Sequence, residues 1–141
     1  MVKRQPHILN LSLSGPYDPL LNKLVDRIIN NQTIIVAAFD PSRSNKKRFP
    51  EVRDGVLIVR AENLDSHFED AFTAPGSQMV PTPNNNYSYQ TGHSIASAHT
   101  SGLLALLTQA RTYKPGLQSV IDMTIKGQVK SSTSLLDQLR H

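Results

Sequence analysis

Thr33-Ile34-Ile35-Val36-Ala37-Ala38-Phe39 is the stretch that decides the fold class of this 141-residue chain. It does not alternate between apolar and polar residues. An uninterrupted apolar run of this length is typical of a parallel strand that helices cover on both faces. Similar runs at residues 8–13 and 55–60 predict two further buried strands. Three such strands predict an α/β fold, in which helices flank a parallel sheet.

The segment between the first two strands predicts an amphipathic helix. Asp18 is placed to cap the helix, and Pro19 stands at its first helical position. Apolar residues then recur at helical spacing, with polar residues between them. The expected buried stripe is Leu20, Leu21, Leu24, Val25, Ile28 and Ile29, and the expected solvent face is Asn22, Lys23, Asp26 and Arg27. Residues 8–39 are therefore predicted to form a strand–helix–strand unit.

The rest of the chain divides into loops and helices. Residues 40–54 are polar and basic and predict a loop, and residues 61–91 show no clear periodicity. Residues 94–107 carry no charge and are small or apolar on all sides, which predicts a buried helix that begins near Ser94. Residues 117–139 predict one or two amphipathic helices.

The composition excludes several classes of protein. The length is that of one domain, and the absence of cysteine excludes disulfide scaffolds, thiol catalysis and cysteine-bound metals. His7, His67 and His141 have no metal-ligand spacing, so we expect no metal and no other cofactor. No apolar run approaches the ~20 residues of a membrane helix, and residues 8–13 are too short for a signal-peptide core. We expect no membrane partner, and the compartment stays open.

The net charge of +4 raises the question of nucleic-acid binding. The densest basic cluster is Arg43, Lys46, Lys47 and Arg48. A basic patch is one feature of nucleic-acid-binding domains. No aromatic residues alternate with these cations to stack on bases, which favours a solvated loop. Nucleic acid is therefore not an expected partner.

The segment Gly92-His93-Ser94-Ile95-Ala96-Ser97-Ala98-His99, followed by Gly102, resembles a known motif. It is similar to Gly-Thr-Ser-Met-Ala-(Ser/Ala)-Pro-His, the nucleophile motif of the subtilisin-like serine peptidases, or subtilases. Four further motifs follow the family's order: Asn10-Leu11-Ser12-Leu13-Ser14-Gly15-Pro16, Val36-Ala37-Ala38, Phe49-Pro50 and Ala74-Pro75-Gly76. The resemblance spans residues 8 to about 126 and implies the C-terminal portion of a subtilase domain.

This resemblance implies a domain organisation and a set of roles. We expect a single partial domain, with residues 1–7 as a basic lead and residues 127–141 as a C-terminal tail or helix. Ser94 would be the nucleophile that attacks a peptide carbonyl, and its backbone amide would help to hold the oxyanion. The residues that match substrate-binding positions are Ser12, Leu13, Ser14, Ala37, Ala38 and Phe39. Phe39 replaces a family glycine and would narrow the specificity pocket.

Asp40 stands at the oxyanion position, where the family has asparagine. An amide donates a hydrogen bond to the developing negative charge, whereas an ionised carboxylate repels it. Two interpretations stay open. A raised pKa would keep Asp40 protonated as a donor, or Asp40 is a structural acid.

The acid and base of the triad have no match in the sequence. In subtilisin the chain order is Asp, His and then Ser, and neither Asp-Thr-Gly nor His-Gly-Thr-His occurs here. His93 adjoins Ser94 but is expected to diverge from it, and His99 matches a family histidine with a structural role in the core.

Two functions follow from this. The first is a serine endopeptidase segment that acts on polypeptides with a complementing N-terminal fragment, which carries the Asp and the His. The second is a non-catalytic module that binds extended peptides or a partner chain. In the first case, residues 8–13 would form an unpaired sheet edge, and the Ser94 helix would lack part of its covering.

Overall fold

The structure is a computed structural model that describes residues 6–42, 48–50, 55–64, 71–110 and 117–139. The strands are β1 (Ile8–Leu11), β2 (Gly15–Pro16), β3 (Ile34–Ala38), β4 (Arg48–Phe49), β5 (Val56–Ala61), β6 (Phe72–Ala74), β7 (Ser77–Thr82) and β8 (Asn86–Thr91). The helices are α1 (Pro19–Asn30), α2 (His93–Ala110), α3 (Leu117–Ile125) and α4 (Ser132–Gln138). Among these described residues, no helix is long and apolar enough to cross a membrane.

The central sheet has the strand order β1-β3-β5-β6, and each neighbouring pair is parallel. This confirms the prediction of a parallel α/β sheet and of the strand–helix–strand unit at residues 8–39. β1 lies at one edge of the sheet, so the outer side of its backbone has no strand partner among the described residues. The carboxyl ends of β1, β3 and β5 lie at the same end of the sheet, because parallel strands run in one direction.

Two hydrophobic clusters cover the two faces of the sheet. On one face, Val25 of α1 packs with Ile35 of β3 and Ile58 of β5. On the other face, Leu104 of α2 packs with Val36 of β3, and α3 and α4 complete that layer. Successive residues of a strand point to opposite faces, which is why β3 has to be apolar throughout. Full burial of each isoleucine or valine side chain contributes roughly 1.5–3 kcal/mol.

The buried stripe expected on α1 is wrong in its first half. Asp18 caps the helix through backbone amides of Leu20 and Leu21, as expected. Val25 is buried, but Leu20, Leu21 and Leu24 are 68%, 42% and 40% exposed. Asn22, expected to face water, is only 4% exposed. The helix is therefore rotated so that three leucines face solvent, and we call these three side chains the α1 leucine face.

The region from residue 61 to residue 91 is more regular than its sequence indicated. It contains β6 and the antiparallel hairpin formed by β7 and β8. Asn84 and Asn85 in the hairpin turn have φ values of 66° and 56°. Asparagine tolerates this left-handed backbone better than most residues. The two asparagines between these strands were therefore an available hairpin signal.

Helix α2 is buried on one face only. Ala96, Ser97, Thr100 and Leu104 are fully buried against the sheet and its neighbours. Ala98, Gly102 and Ala105 are exposed, and Leu106 is 70% exposed. An extra Cβ at Gly102 would meet no atom within 4 Å. The prediction of a helix buried on all sides is wrong for this structure, because the outer face, defined by these four residues, is open.

Candidate active site

The hydroxyl of Ser94 lies at the amino end of α2, beside the chain that leaves β1. Ser94 is exposed, and its Oγ donates to the carbonyl oxygen of Ser12 at 3.3 Å. Ser94 is in the first turn of α2, where backbone amides have no acceptor within the helix. The amides of Ile95 and Ala96 donate to the Gly92 carbonyl oxygen just before the helix. The helix dipole stabilises negative charge at this point. A hydroxyl here is accessible and stands next to a site that favours an anion.

Ser12 ties the two segments together through its own hydroxyl. Ser12 Oγ donates to the carbonyl oxygen of Ser94 at 3.3 Å and lies 3.0 Å from Ser97 Oγ. Ser97 Oγ also lies 3.0 Å from the Ser94 carbonyl oxygen, and Asn10 Nδ2 donates to Ser12 Oγ at 2.9 Å. This network fixes the start of α2 against the carboxyl end of β1, and Ser97 is its fully buried member.

A close backbone approach fixes the chain just before Ser94. The Gly92 amide donates to the Gly76 carbonyl oxygen at 2.8 Å. A Cβ at Gly76 would overlap the side chain of Ala61 and lie 2.9 Å from Asn63 Oδ1. Only glycine therefore fits at the end of the Ala-Pro-Gly segment, and this gives the motif a steric cause.

His93 contacts the carboxyl ends of two strands. Its Nδ1 accepts a hydrogen bond from the backbone amide of Ala61, the last residue of β5, at 3.0 Å. Its ring meets the Phe39 ring edge-on, with 5.2 Å between centroids and 82° between planes. Burial, followed by the charge of Arg60, lowers the pKa of His93 and favours the neutral ring. Because Nδ1 already accepts from Ala61, it is not free to take a proton from Ser94.

Asp40 is ionised at neutral pH. Partial desolvation favours the neutral acid, but hydrogen bonds from Ser42 and Ser14 and the charge of Arg48 outweigh it. The net effect lowers the pKa of Asp40 to about 2. The Ser42 amide and hydroxyl donate to Asp40 Oδ1 at 2.9 and 2.6 Å, and Arg48 forms an ion pair with Oδ2. Of the two interpretations left open by the sequence, these contacts favour the structural acid over the protonated donor.

Arg48 is a residue whose role the sequence did not indicate. It belongs to the basic cluster that raised the question of nucleic-acid binding, and its guanidinium instead pairs with Asp40. Arg43, Lys46 and Lys47 lie outside the described residues. The antiparallel pairing of β2 with β4 brings Arg48 to this end of the sheet, opposite Pro16. A two-residue pairing between segments so far apart in the chain has no local signal that could have revealed it.

The residues matched to substrate binding fall into two groups. Ser12, Leu13 and Ser14 follow β1 and are exposed beside Ser94. Ala37, Ala38 and Phe39 are buried at the carboxyl end of β3. Phe39 packs in the hydrophobic cluster under α1 and against His93. The structure thus brings the carboxyl ends of both strands to the amino end of α2.

The other histidines lie away from Ser94 Oγ or outside the described residues. His99 is exposed, so the expectation of a core histidine is wrong in this structure. His7 is exposed at the opposite end of the sheet, and His67 and His141 lie outside the described residues. Within the described ranges, no imidazole or carboxylate hydrogen-bonds to Ser94 Oγ, and no three His, Asp or Glu side chains are grouped to hold a metal ion.

A groove of about 630 Å³ lies at the amino ends of the strands. Its walls include His7, Gln32, Gly55 and Asp122. None of the residues around Ser94 contributes to this groove, so it does not belong to the site at the carboxyl ends.

Comparison with known proteins relates this chain to one family. The major intracellular serine protease of Bacillus subtilis is 31% identical over 121 residues, and subtilisin DY of Bacillus licheniformis is 30% identical over 114 residues. An intracellular serine protease of Paenibacillus polymyxa is 28% identical over 123 residues. The chain belongs to the subtilisin-like serine peptidase family. No protein-family model matches this subtilase chain.

Solved structures support the subtilase fold. The protease domain of PatA, in its S218A mutant, has a TM-score of 0.65 at 24% identity, covering 83% of this chain and 50% of that one. The prenylagaramide maturation protease PagA has a TM-score of 0.64 at 24% identity, covering 82% of this chain and 49% of that one. The subtilase chain spans 38% of the length of the Bacillus subtilis relative and 38% of the length of the Paenibacillus polymyxa relative. These alignments cover 75% and 77% of this chain, respectively.

Proposed function

We propose that this chain carries the nucleophile of a subtilase endopeptidase site, and that the acid and base come from a polypeptide segment outside its 141 residues. The observation that carries the proposal is the placement of Ser94. Its hydroxyl is exposed at the amino end of α2 and lies 3.3 Å from the Ser12 carbonyl oxygen. Sequence motifs for the acid and the base are absent from this chain.

The proposed reaction uses two features of the chain. Ser94 Oγ attacks the carbonyl carbon of a peptide bond while an external imidazole takes its proton. The Ser94 amide in the first turn of α2 stabilises the resulting oxyanion. The C–N bond then breaks, the amine leaves with the proton from the imidazole, and water releases the acyl group from Ser94.

The proposed substrate is an extended polypeptide. Ser12, Leu13 and Ser14 are exposed between the end of β1 and Ser94, where they can pair with an extended strand. A substrate strand bound there would place its carbonyl carbon near Ser94 Oγ. Leu13 is 52% exposed and can contact an apolar substrate side chain.

The surfaces left open by the fold support a complementing segment. β1 is an edge strand with no outer strand partner among the described residues, and such edges pair with another strand. The α1 leucine face lies on one layer of the molecule, and the outer face of α2 lies on the other. Small residues on the outer face, Ala98, Gly102 and Ala105, let another helix approach closely. The structural relatives are about twice as long as the part this chain matches, which leaves room for such a segment.

The test is hydrolysis of a fluorogenic peptide by the chain alone and mixed with the polypeptide encoded directly upstream of it. We expect hydrolysis only in the mixture, and its loss in Ser94→Ala. Ser119→Ala is the matched control, because Ser119 is also an exposed serine in the first turn of a helix. Equal hydrolysis rates for the mixture that contains the unchanged chain and for the mixture that contains Ser94→Ala would refute the proposal.

A second candidate function is favoured by one observation, the ionised carboxylate at position 40. Without a hydrogen-bond donor at position 40, the oxyanion would lack a hydrogen bond that raises the turnover rate by a factor on the order of 10²–10³. The module would then bind extended peptides at residues 12–14 without cleaving them. Binding of a peptide to the mixture with no cleavage and no modification of Ser94 would favour this alternative.

A further inference from the structure

The ring of His93 stands directly before Ser94 in the chain. The subtilase motif that this segment resembles has threonine at this position, and this chain has histidine. His93 is half-buried, and its ring contacts Ala61 at the end of β5 and Phe39 just after β3. It therefore joins the first residue of α2 to the carboxyl ends of two neighbouring strands.

The hydrogen bond to Ala61 fixes the tautomer of the ring. Nδ1 accepts from a backbone amide at 3.0 Å, so Nδ1 carries no proton and the neutral ring holds its proton on Nε2. If the ring gained a second proton, Nδ1–H would face the Ala61 N–H, and two donors would repel each other. The hydrogen bond between Ala61 and His93 therefore exists only while His93 is neutral, whereas the apolar packing of α2 on β5 does not depend on the charge of the ring.

The surroundings favour the neutral ring. Burial and the nearby Arg60 guanidinium on β5 both lower the pKa of His93. The carboxylate of Asp40, which follows Phe39, is engaged by Arg48 and Ser42. The first turn of α2 contains no other ionisable side chain. The hydrogen bond between Ala61 and His93 therefore breaks when the pH falls below the lowered pKa of His93.

We propose that His93 is a positioning residue: its neutral ring holds the Ser94 backbone against β5 through the Ala61 amide, and its protonation releases Ser94 from its reactive position. This inference rests on the proposed role of Ser94 as nucleophile. It differs from a base role, because His93 does not accept the Ser94 proton. It predicts that reaction at Ser94 requires two neutral imidazoles, His93 and the external base.

The first test is independent of catalysis. Ring ¹⁵N shifts of the histidine-labelled full chain, assigned by comparison with His93→Asn, should show an unprotonated Nδ1 and a protonated Nε2 at neutral pH. The Ala61 amide should be protected from hydrogen exchange in the unchanged chain and in His93→Asn, whose Oδ1 can replace Nδ1, and exposed in His93→Ala. A protonated Nδ1, or equal Ala61 exchange in all three chains, would overturn the proposal.

The second test measures the rate at which a fluorophosphonate modifies Ser94 in the complemented chain between pH 4 and pH 8. For the unchanged chain, the logarithm of the rate should rise with a slope of about two at the acid end, since two protons must be lost. His93→Asn should keep the neutral-pH rate within about threefold and show a slope of about one, and His93→Ala should lose about tenfold or more. Equal acid slopes for the unchanged chain and His93→Asn would exclude the positioning role. Absence of modification in every chain would instead refute the role of Ser94, while the ring shifts still decide the tautomer.

Discussion

Ser12 and Ser94, 82 positions apart in the chain, hydrogen-bond to each other in both directions. Each hydroxyl donates to the carbonyl oxygen of the other residue at 3.3 Å. The pair joins the carboxyl end of β1 to the amino end of α2. It therefore sets the distance between the exposed hydroxyl and the segment proposed to bind substrate.

Replacing Ser12 tests that connection. Ser12→Ala removes the hydroxyl that reaches Ser94 and Ser97 but leaves the backbone acceptor for Ser94 Oγ. We expect the free energy of unfolding to fall by about 1 kcal/mol, the usual contribution of a hydrogen bond. Urea denaturation of Ser12→Ala and of the control Ser119→Ala measures this. An equal effect of both substitutions would show that the Ser12 hydroxyl has no special role.

Two glycine substitutions should have opposite effects. Gly76→Ala forces a Cβ into Ala61, so we expect a loss of about 1–3 kcal/mol in unfolding free energy. Gly102→Ala meets open space on an exposed helix and should add roughly 0.5–1 kcal/mol. The same Gly102→Ala substitution should weaken binding of a complementing segment, because it removes the closest point of approach on the outer face of α2.

Thermal unfolding and a titration with the upstream polypeptide measure the two glycine effects separately. A Gly102→Ala chain that binds the upstream polypeptide as tightly as the unchanged chain would show that the outer face of α2 is not the docking surface.

The α1 leucine face should control self-association. Leu21→Ser and Leu24→Ser remove exposed apolar surface, so sedimentation velocity should find less aggregate than for the unchanged chain. Lys23→Ser, an exposed substitution on the same helix, is the control and should not reduce aggregation. If the unchanged chain is monomeric and melts cooperatively, the open surfaces do not need a partner.

Asp40 should make the fold sensitive to acid. Its folded pKa of about 2 lies below the ordinary 3.8, so its stabilising contribution is present above pH 3.8 and is lost as the pH falls toward 2. Asp40→Asn removes this dependence, and its stability should change less than that of the unchanged chain between pH 4 and pH 2. Chemical denaturation at several pH values measures the difference, with Asp18→Asn as the control because asparagine also caps a helix. Parallel pH profiles for Asp40→Asn and the unchanged chain would contradict this role.

The same substitution bears on catalysis. Asp40→Asn restores an amide donor at the position where subtilases have asparagine. In the chain mixed with the upstream polypeptide, we expect the fluorophosphonate to modify Ser94 faster. The increase should be up to the factor of about 10²–10³ that an oxyanion-hole donor contributes to the rate. No increase would show that position 40 does not face the oxyanion.

The parallel sheet was predictable because the signals that specify it are local. The apolar run at residues 33–39, the Asp18-Pro19 cap and the uncharged segment after Gly92 each predict one element, and the structure places each of them as expected. The motif order then placed the end of β1 beside Ser94. These features depend on residues close together in sequence, or on a resemblance that spans most of the chain.

The features that could not be predicted from the sequence depend on how separate helices and strands pack against one another. Hydrophobic spacing on α1 identified a helix but not which side meets the sheet, so the orientations of Leu20 and Asn22 were wrong. The pairing of β2 with β4 brings Arg48 to Asp40, and the packing of α2 on the sheet brings His93 to Ala61. Neither contact joins residues that are close together in the sequence. His99 was expected in the core, and in this structure it is exposed.

The most direct measurement is mass spectrometry of the chain after exposure to a fluorophosphonate, with and without the polypeptide encoded upstream. We expect one adduct per chain in the mixture, mapped by fragmentation to Ser94, and none on the isolated chain. An adduct on another serine, or no adduct in the mixture, would contradict the assignment of Ser94 as a nucleophile that receives its base from a second segment.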